Sequence, residues 1–158
     1  MLVKKYQVIL NDDRVPFLEK EWEKEYPEIA STLSNPKDVY DLAVNLLRIT
    51  KLPEEHAYMF ALTSKSELLG IFEASMGMID AAALSPRGIL QRALLINAAR
   101  IIVMHNHTSG KEAPSKCDID ATNLLNAACK NVGILLDDHI IAGEYDYYSF
   151  RKGGLITD

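Results

Sequence analysis

Cysteine, basic charge and long apolar runs are all in short supply in this 158-residue chain. The two cysteines, Cys117 and Cys129, are too few for a disulfide scaffold and show no C-x-x-C spacing. Lysine and arginine number 17 against 22 acidic residues, a formal charge of −5 at pH 7. A protein held to nucleic acid by phosphate neutralisation carries a basic face, and the composition shows no such bias. No apolar run approaches the ~20 residues of a membrane span, and MLVKKYQVIL lacks the apolar segment and small-residue cleavage site of a secretory signal. Repeats and low-complexity segments are missing too. What is present, 48% hydrophobic and 25% charged residues, is ordinary for a globular protein. At this length folding buries roughly 70% of the surface the open chain exposes, enough for one core. Composition therefore reads as a soluble, cytoplasmic protein.

Residues 1–35 read as an N-terminal extension, packed on the domain or partly mobile. Val3, Tyr6, Val8 and Leu10 alternate loosely, as in an edge strand. The Glu/Lys spacing from Glu19 to Glu25 suits a solvated helix or loop. Ser34-Asn35-Pro36 is a helix start, followed by Val39, Leu42, Ala43, Leu46 and Leu47 at helical spacing up to Leu52-Pro53. Strands are expected over 56–62 and 68–75, with a turn between. A helix opening at Ser85-Pro86 leads into Ile101-Ile102-Val103-Met104, an apolar run typical of a strand buried on both faces. After a polar loop come a helix over 115–130, a stop at Gly133, a buried strand over 134–141 and a short strand near 147–150. Strands alternating with helices predict an α/β sandwich with a mixed sheet.

Chemistry concentrates between His105 and Asp118, where the pattern is H-x-H, seven residues, Ser, two residues, Asp. Side chains alternate along a strand, so His105 and His107 project from one face, about 7 Å apart at roughly 3.3 Å per residue. They stand at the C-terminal end of a buried strand, where α/β sheets place ligand sites. Two imidazoles there can share a metal ion, and Asp118 would complete a two-His, one-carboxylate set with one position open to water. Asp118 falls at the edge of an apolar helix face made by Ala121, Leu124, Leu125, Ala128, Cys129 and Val132, where a carboxylate needs a partner. Blander readings exist for each residue alone. Ser115-x-x-Asp118 is also a capping box, a single histidine at a strand end is commonly an ordinary one, and a glutamate at a strand start is commonly solvated. A hydrolytic site wants a base as well; Glu54 and Glu55 stand before the first core strand, and spacing does not choose between them.

This pattern, with an upstream Glu, resembles the JAMM/MPN+ (JAB) metalloproteases, which include deubiquitinating isopeptidases. More narrowly the chain is similar to the RadC family, whose members are often labelled DNA repair proteins. HNHTSG at 105–110, PS at 114–115, SPR at 85–87, SMG at 75–77, NAA at 97–99 and LDDHIIAG at 136–143 carry the likeness, which runs from about residue 36 to 156. It implies a cytidine-deaminase-like three-layer α/β sandwich over 36–158 with a catalytic zinc. Matched position by position, it implies His105, His107 and Asp118 as metal ligands and Ser115 as support for the oxyanion. It implies Glu55 as the water-activating base, with Glu54 as the fallback. Thr108 stands where relatives usually have Pro, and Gly88 where an acid is usual. Longer RadC proteins carry an N-terminal helix-hairpin-helix region, for which this chain is too short, so the DNA-repair label receives little support.

The reading that follows is a zinc-dependent hydrolase of peptide or isopeptide bonds, its protein or peptide substrate unidentified. The alternative is a non-catalytic metal-binding interaction module associated with DNA repair or mobile-element processes. Two His and a carboxylate also describe non-haem iron sites. Zinc deaminases need H-x-E and C-x-x-C; position 107 is His. H-E-x-x-H is absent, and the letters HNH do not make an HNH nuclease. A Ser-His-Asp triad of His139 with Asp137 or Asp138 is set aside, because a His inside a buried strand is usually structural; His139 can instead support the metal ligands from behind. The acidic charge predicts DNA binding that is weak and steeply salt-dependent. Titration of labelled duplex DNA at physiological salt checks this, and a submicromolar affinity would contradict it.

Overall fold

The computed structural model describes residues 1–29, 31–77 and 84–157; the parts of the two expected domains at Ala30, 78–83 and Asp158 lie outside the described residues. The strands are β1 (Leu2–Leu10), β2 (Pro16–Glu25), β3 (His56–Leu62), β4 (Leu68–Met76), β5 (Arg100–Asn106), β6 (Leu135–Ala142) and β7 (Tyr147–Ser149). The helices are α1 (Pro36–Leu42), α2 (Pro86–Leu95) and α3 (Lys116–Asn131). The strands form one sheet in the order β2-β1-β4-β3-β5-β6-β7. Pairs β1–β4 and β5–β6 are parallel, the others antiparallel. This is the expected α/β sandwich around a mixed sheet.

Period-two alternation sorts the central strands into two apolar layers. Tyr58 and Phe60 of β3, Ile102 and Met104 of β5 and Ile140 of β6 pack against Val39, Leu42 and Ile49. Ala57, Met59, Ile101, Val103 and Ile141 face the other way, against Ile89 and Ala93 of α2 and Ala121, Leu125 and Cys129 of α3. The odd-numbered residues of β5 thus look toward α3, and His105 continues that series.

Two local expectations need correction. The 19–25 stretch is neither helix nor loop but the second half of β2, the sheet's outer strand. Pairing with β1 overrides its Glu/Lys spacing: a bulge between Lys5 and Tyr6 leaves Glu21 as the extra residue, and its carboxylate takes the Lys5 ammonium at 2.6 Å. β1 is therefore an interior strand, and the charges of β2 guard the edge against further pairing. The helix begun at Pro36, capped by the Asn35 side chain on the Lys37 amide, also stops early. A π turn at Ala43–Leu47 ends at Arg48 in the left-handed region (φ 54°), and one 3₁₀ turn, Ile49–Lys51, completes the connection.

Gly70 of β4 lets the N-terminal hairpin close onto the core. A Cβ there would lie 2.7 Å from Tyr6 Cδ2 and 2.9 Å from Ile96 Cδ1. Overpacking of this kind typically costs about 1–3 kcal/mol. Gly70→Val is expected to lower stability by about that amount, read as a shift of the urea unfolding midpoint at unchanged slope.

Candidate metal centre

β5 delivers the first two side chains. His105 is fully buried on the α3 face, and His107 lies just past the strand end, half-buried. A tight turn follows, closed by Gly110 N–H donating to His107 O at 3.0 Å with Gly110 at φ +72°. The turn is held to the β6–β7 connection by Glu144 N–H on Gly110 O at 2.9 Å, so the loop carrying Thr108 is tied by backbone bonds. His107 Nδ1 donates to Lys111 O at 2.9 Å, since a carbonyl can only accept; this turns Nε2 toward α3.

α3 supplies the carboxylate. Ser115 caps the helix, its Oγ accepting from Asp118 N–H at 3.2 Å, while Asp118 Oδ2 accepts from Ser115 N–H at 2.7 Å and Ser115 Oγ–H at 2.6 Å. The capping box and the metal set, rivals on sequence grounds, are one arrangement. Binding Oδ2 to the cap aims Asp118 at the two imidazoles. His105 Nε2 is 3.2 Å from Asp118 Oδ1, His107 Nε2 is 3.4 Å from Oδ2, and the two Nε2 atoms are 3.0 Å apart. These three residues form the group that could hold a metal ion. A tetrahedral ion held at about 2.1 Å would set its ligand atoms about 3.4 Å apart, close to the spacing here.

The electrostatics agree. Burial pushes the Asp118 carboxyl up, but hydrogen bonds with His105, His107 and Ser115 together outweigh it and hold the group well below the usual carboxylate range. His107 is raised above its ordinary value, chiefly by its hydrogen bond with Asp118 against the opposing effect of burial. A buried anion facing two imidazoles suits a cation by charge as well as by shape.

The two candidate bases diverge. Glu54 is exposed, its carboxylate 3.8 Å from His56 Nε2 on the outer side. Ala57 pairs with His105 at the end of the antiparallel ladder, and Glu55, two residues before Ala57, is half-buried and close enough for its charge to raise the His107 pKa. Asn106, unremarked in the sequence, extends this ladder beyond the strand ends: its Oδ1 accepts from His56 N–H at 2.7 Å and its Nδ2 donates to Glu54 O at 3.0 Å. The backbone of Glu55 is thereby held between two clamped neighbours.

Two more residues complete the surroundings. His139 is fully buried, with Nε2 2.8 Å from His105 Nδ1 and Nδ1 2.6 Å from Thr122 Oγ1. It makes no triad: Asp138 accepts from Ser149 and the Arg151 amide, and Asp137 pairs with Arg100. Thr122 was missed because it reads as polar on a helical wheel. The buried stripe of α3 is Asp118, Ala121, Thr122, Leu125 and Cys129, whereas Leu124 is 56% exposed and Val132 45%. Asp118 therefore sits within the buried face rather than at its edge. The spacing of four between Asp118 and Thr122 was the available signal.

The profile of the RadC-like JAB domain matches residues 33–155. Similar proteins include a UPF0758 protein of Pseudomonas fluorescens, 40% identical over 78% of this chain and 54% of the relative. One of Clostridium acetobutylicum is 35% identical over 78% and 53%, and one of Desulfitobacterium hafniense 32% identical over 82% and 56%. The chain spans about half the length of the curated relatives it matches.

Because a metal must displace the proton that His107 holds with Asp118, cation binding releases protons. His107 is raised, so this competition begins at a higher pH than for a free imidazole and grows on acidification. Affinity for a divalent cation is expected to fall about tenfold per pH unit below the His107 pKa. Equilibrium dialysis at about pH 8 and about pH 5.5 measures it; equal affinity at both contradicts the site.

Proposed function

Given that the chain belongs to the RadC-like JAB domain family, we propose that it is a zinc-dependent hydrolase that cleaves a peptide or isopeptide bond with an activated water. The observation that carries this reading is the convergence of His105, His107 and Asp118 on one spot, with Glu55, just ahead of β3, bringing its charge near His107. No helix among the described residues is long and apolar enough to cross a membrane.

His105 Nε2, His107 Nε2 and an oxygen of Asp118 would hold the ion, leaving a fourth position for water and substrate. Zinc when bound supplies a Lewis acid that brings the pKa of water down to about 7. Glu55 takes the proton of the attacking water and hands it to the departing amine. Ser115 Oγ–H, now on Asp118 Oδ2, rotates to donate to the carbonyl oxygen as negative charge develops there. One such donor is worth on the order of 3–4 kcal/mol of barrier. Asn106 keeps Glu55 in place through the backbone on either side of it.

The test is zinc-loaded protein on a peptide and isopeptide library. Glu55→Gln is expected to keep zinc near one equivalent and to lose about 10²- to 10⁴-fold in rate, the usual contribution of a general base. His105→Ala should lose both metal and activity. An unchanged rate in Glu55→Gln rejects Glu55 as base. Full zinc loading with no hydrolysis of any peptide or isopeptide favours the non-catalytic module.

A further inference from the structure

Behind the candidate ligands runs a buried chain of hydrogen bonds whose direction can be worked out atom by atom. Thr122 Oγ1 is 2.6 Å from Asp118 O and 2.6 Å from His139 Nδ1, and His139 Nε2 is 2.8 Å from His105 Nδ1. Thr122, His139 and His105 are all at most 1% exposed, so water does not complete these bonds.

The Thr122 hydroxyl has one proton to give, and the Asp118 carbonyl can only accept. At 2.6 Å that proton must point at the carbonyl. His139 Nδ1 must then donate to Thr122 Oγ1. Fully buried against the Thr122 hydroxyl, the His105 imidazole and the Phe150 ring, His139 stands in surroundings that favour the uncharged ring. A neutral imidazole with a proton on Nδ1 has a bare Nε2, which accepts the Nδ1–H of His105. With its Nδ1 proton committed to His139, His105 turns Nε2 toward Asp118 and His107 as the nitrogen a cation would take.

We propose that Thr122 and His139 are positioning residues that set the tautomer of His105, and so keep its Nε2 lone pair available for a divalent cation. The opposite direction leads to the opposite outcome. Were His139 protonated on Nε2, His105 would have to accept at Nδ1 and carry its own proton on Nε2, blocking the metal position. The relay starts from the carbonyl of Asp118, so the residue that supplies the carboxylate ligand also orients the imidazole beside it. A sheet irregularity aims His139. Leu136 and His139, three apart, both face α3, because the β5–β6 register shifts between Ile101 and Ile102 and leaves Asp137 as an extra residue in β6.

The inference rests on the metal-site part of the proposed function, and its test separates the two. Nitrogen NMR of histidine-labelled, metal-free wild-type protein should find the His139 proton on Nδ1. A proton on Nε2 overturns the relay whether or not zinc binds, and needs no variant to fold. Thr122→Val removes the acceptor and Thr122→Ser keeps it. Zinc affinity, from competition with a chromophoric chelator, is expected to fall about 10- to 100-fold in the valine variant and to recover with serine. Equal affinity in all three proteins overturns the relay and leaves the hydrolase proposal standing. His139 protonated on Nδ1 in a wild type that takes up no zinc upholds the relay and removes the hydrolase proposal.

Discussion

A carboxylate in the buried face of a helix must find compensation for the water it has lost, and the candidate site is organised around that need. Asp118 is 3% exposed. Its charge is met by the cap of its own helix on one side and by two imidazoles of β5 on the other. Without such partners a buried carboxylate usually takes up a proton instead. The same geometry that stabilises the anion in the free protein spaces three ligand atoms for a small cation. Burial of one charge is thus the reason a strand end and a helix start, 13 positions apart at His105 and Asp118, meet at one point.

The sheet supplies the other half of the arrangement. Alternation along β5 puts His105 on the face covered by α3 and leaves Asn106 on the opposite side. Asn106 then acts as an extra rung between β5 and the segment entering β3, using one side chain to satisfy two backbone groups. That rung fixes the backbone on either side of Glu55, whose charge reaches His107. The HNH letters have a division of labour: the outer two look into the site, and the middle one fastens its wall.

Much of this was legible beforehand. Pro36, Ser85-Pro86 and Gly133 mark their helix ends because backbone constraints there are local. The central strands were readable because both faces are apolar. The H-x-H-x7-S-x2-D spacing survives folding because one half lies on a strand and the other on the first turn of a helix, each with its own fixed period. The N-terminal hairpin was not legible. The Glu/Lys pattern of 19–25 fits an exposed helix as well as an exposed edge strand, and only pairing with β1 distinguishes them. Thr122 hid for a related reason: a hydroxyl counts as polar until its partners are known, and its partners lie on its own helix and on β6.

By itself, then, the sequence determined the run of central strands and helices, the family resemblance, and which residues could bind a metal, because each depends on short-range periodicity and local capping. Tertiary structure alone decided which glutamate brings its charge near His107, which face of α3 is buried, and that His139 lies behind His105. Those depend on strand register, on a bulge at Asp137 and on contacts between elements far apart in the chain. No local pattern encodes them, because the groups involved become neighbours only once the sheet and α3 have closed together.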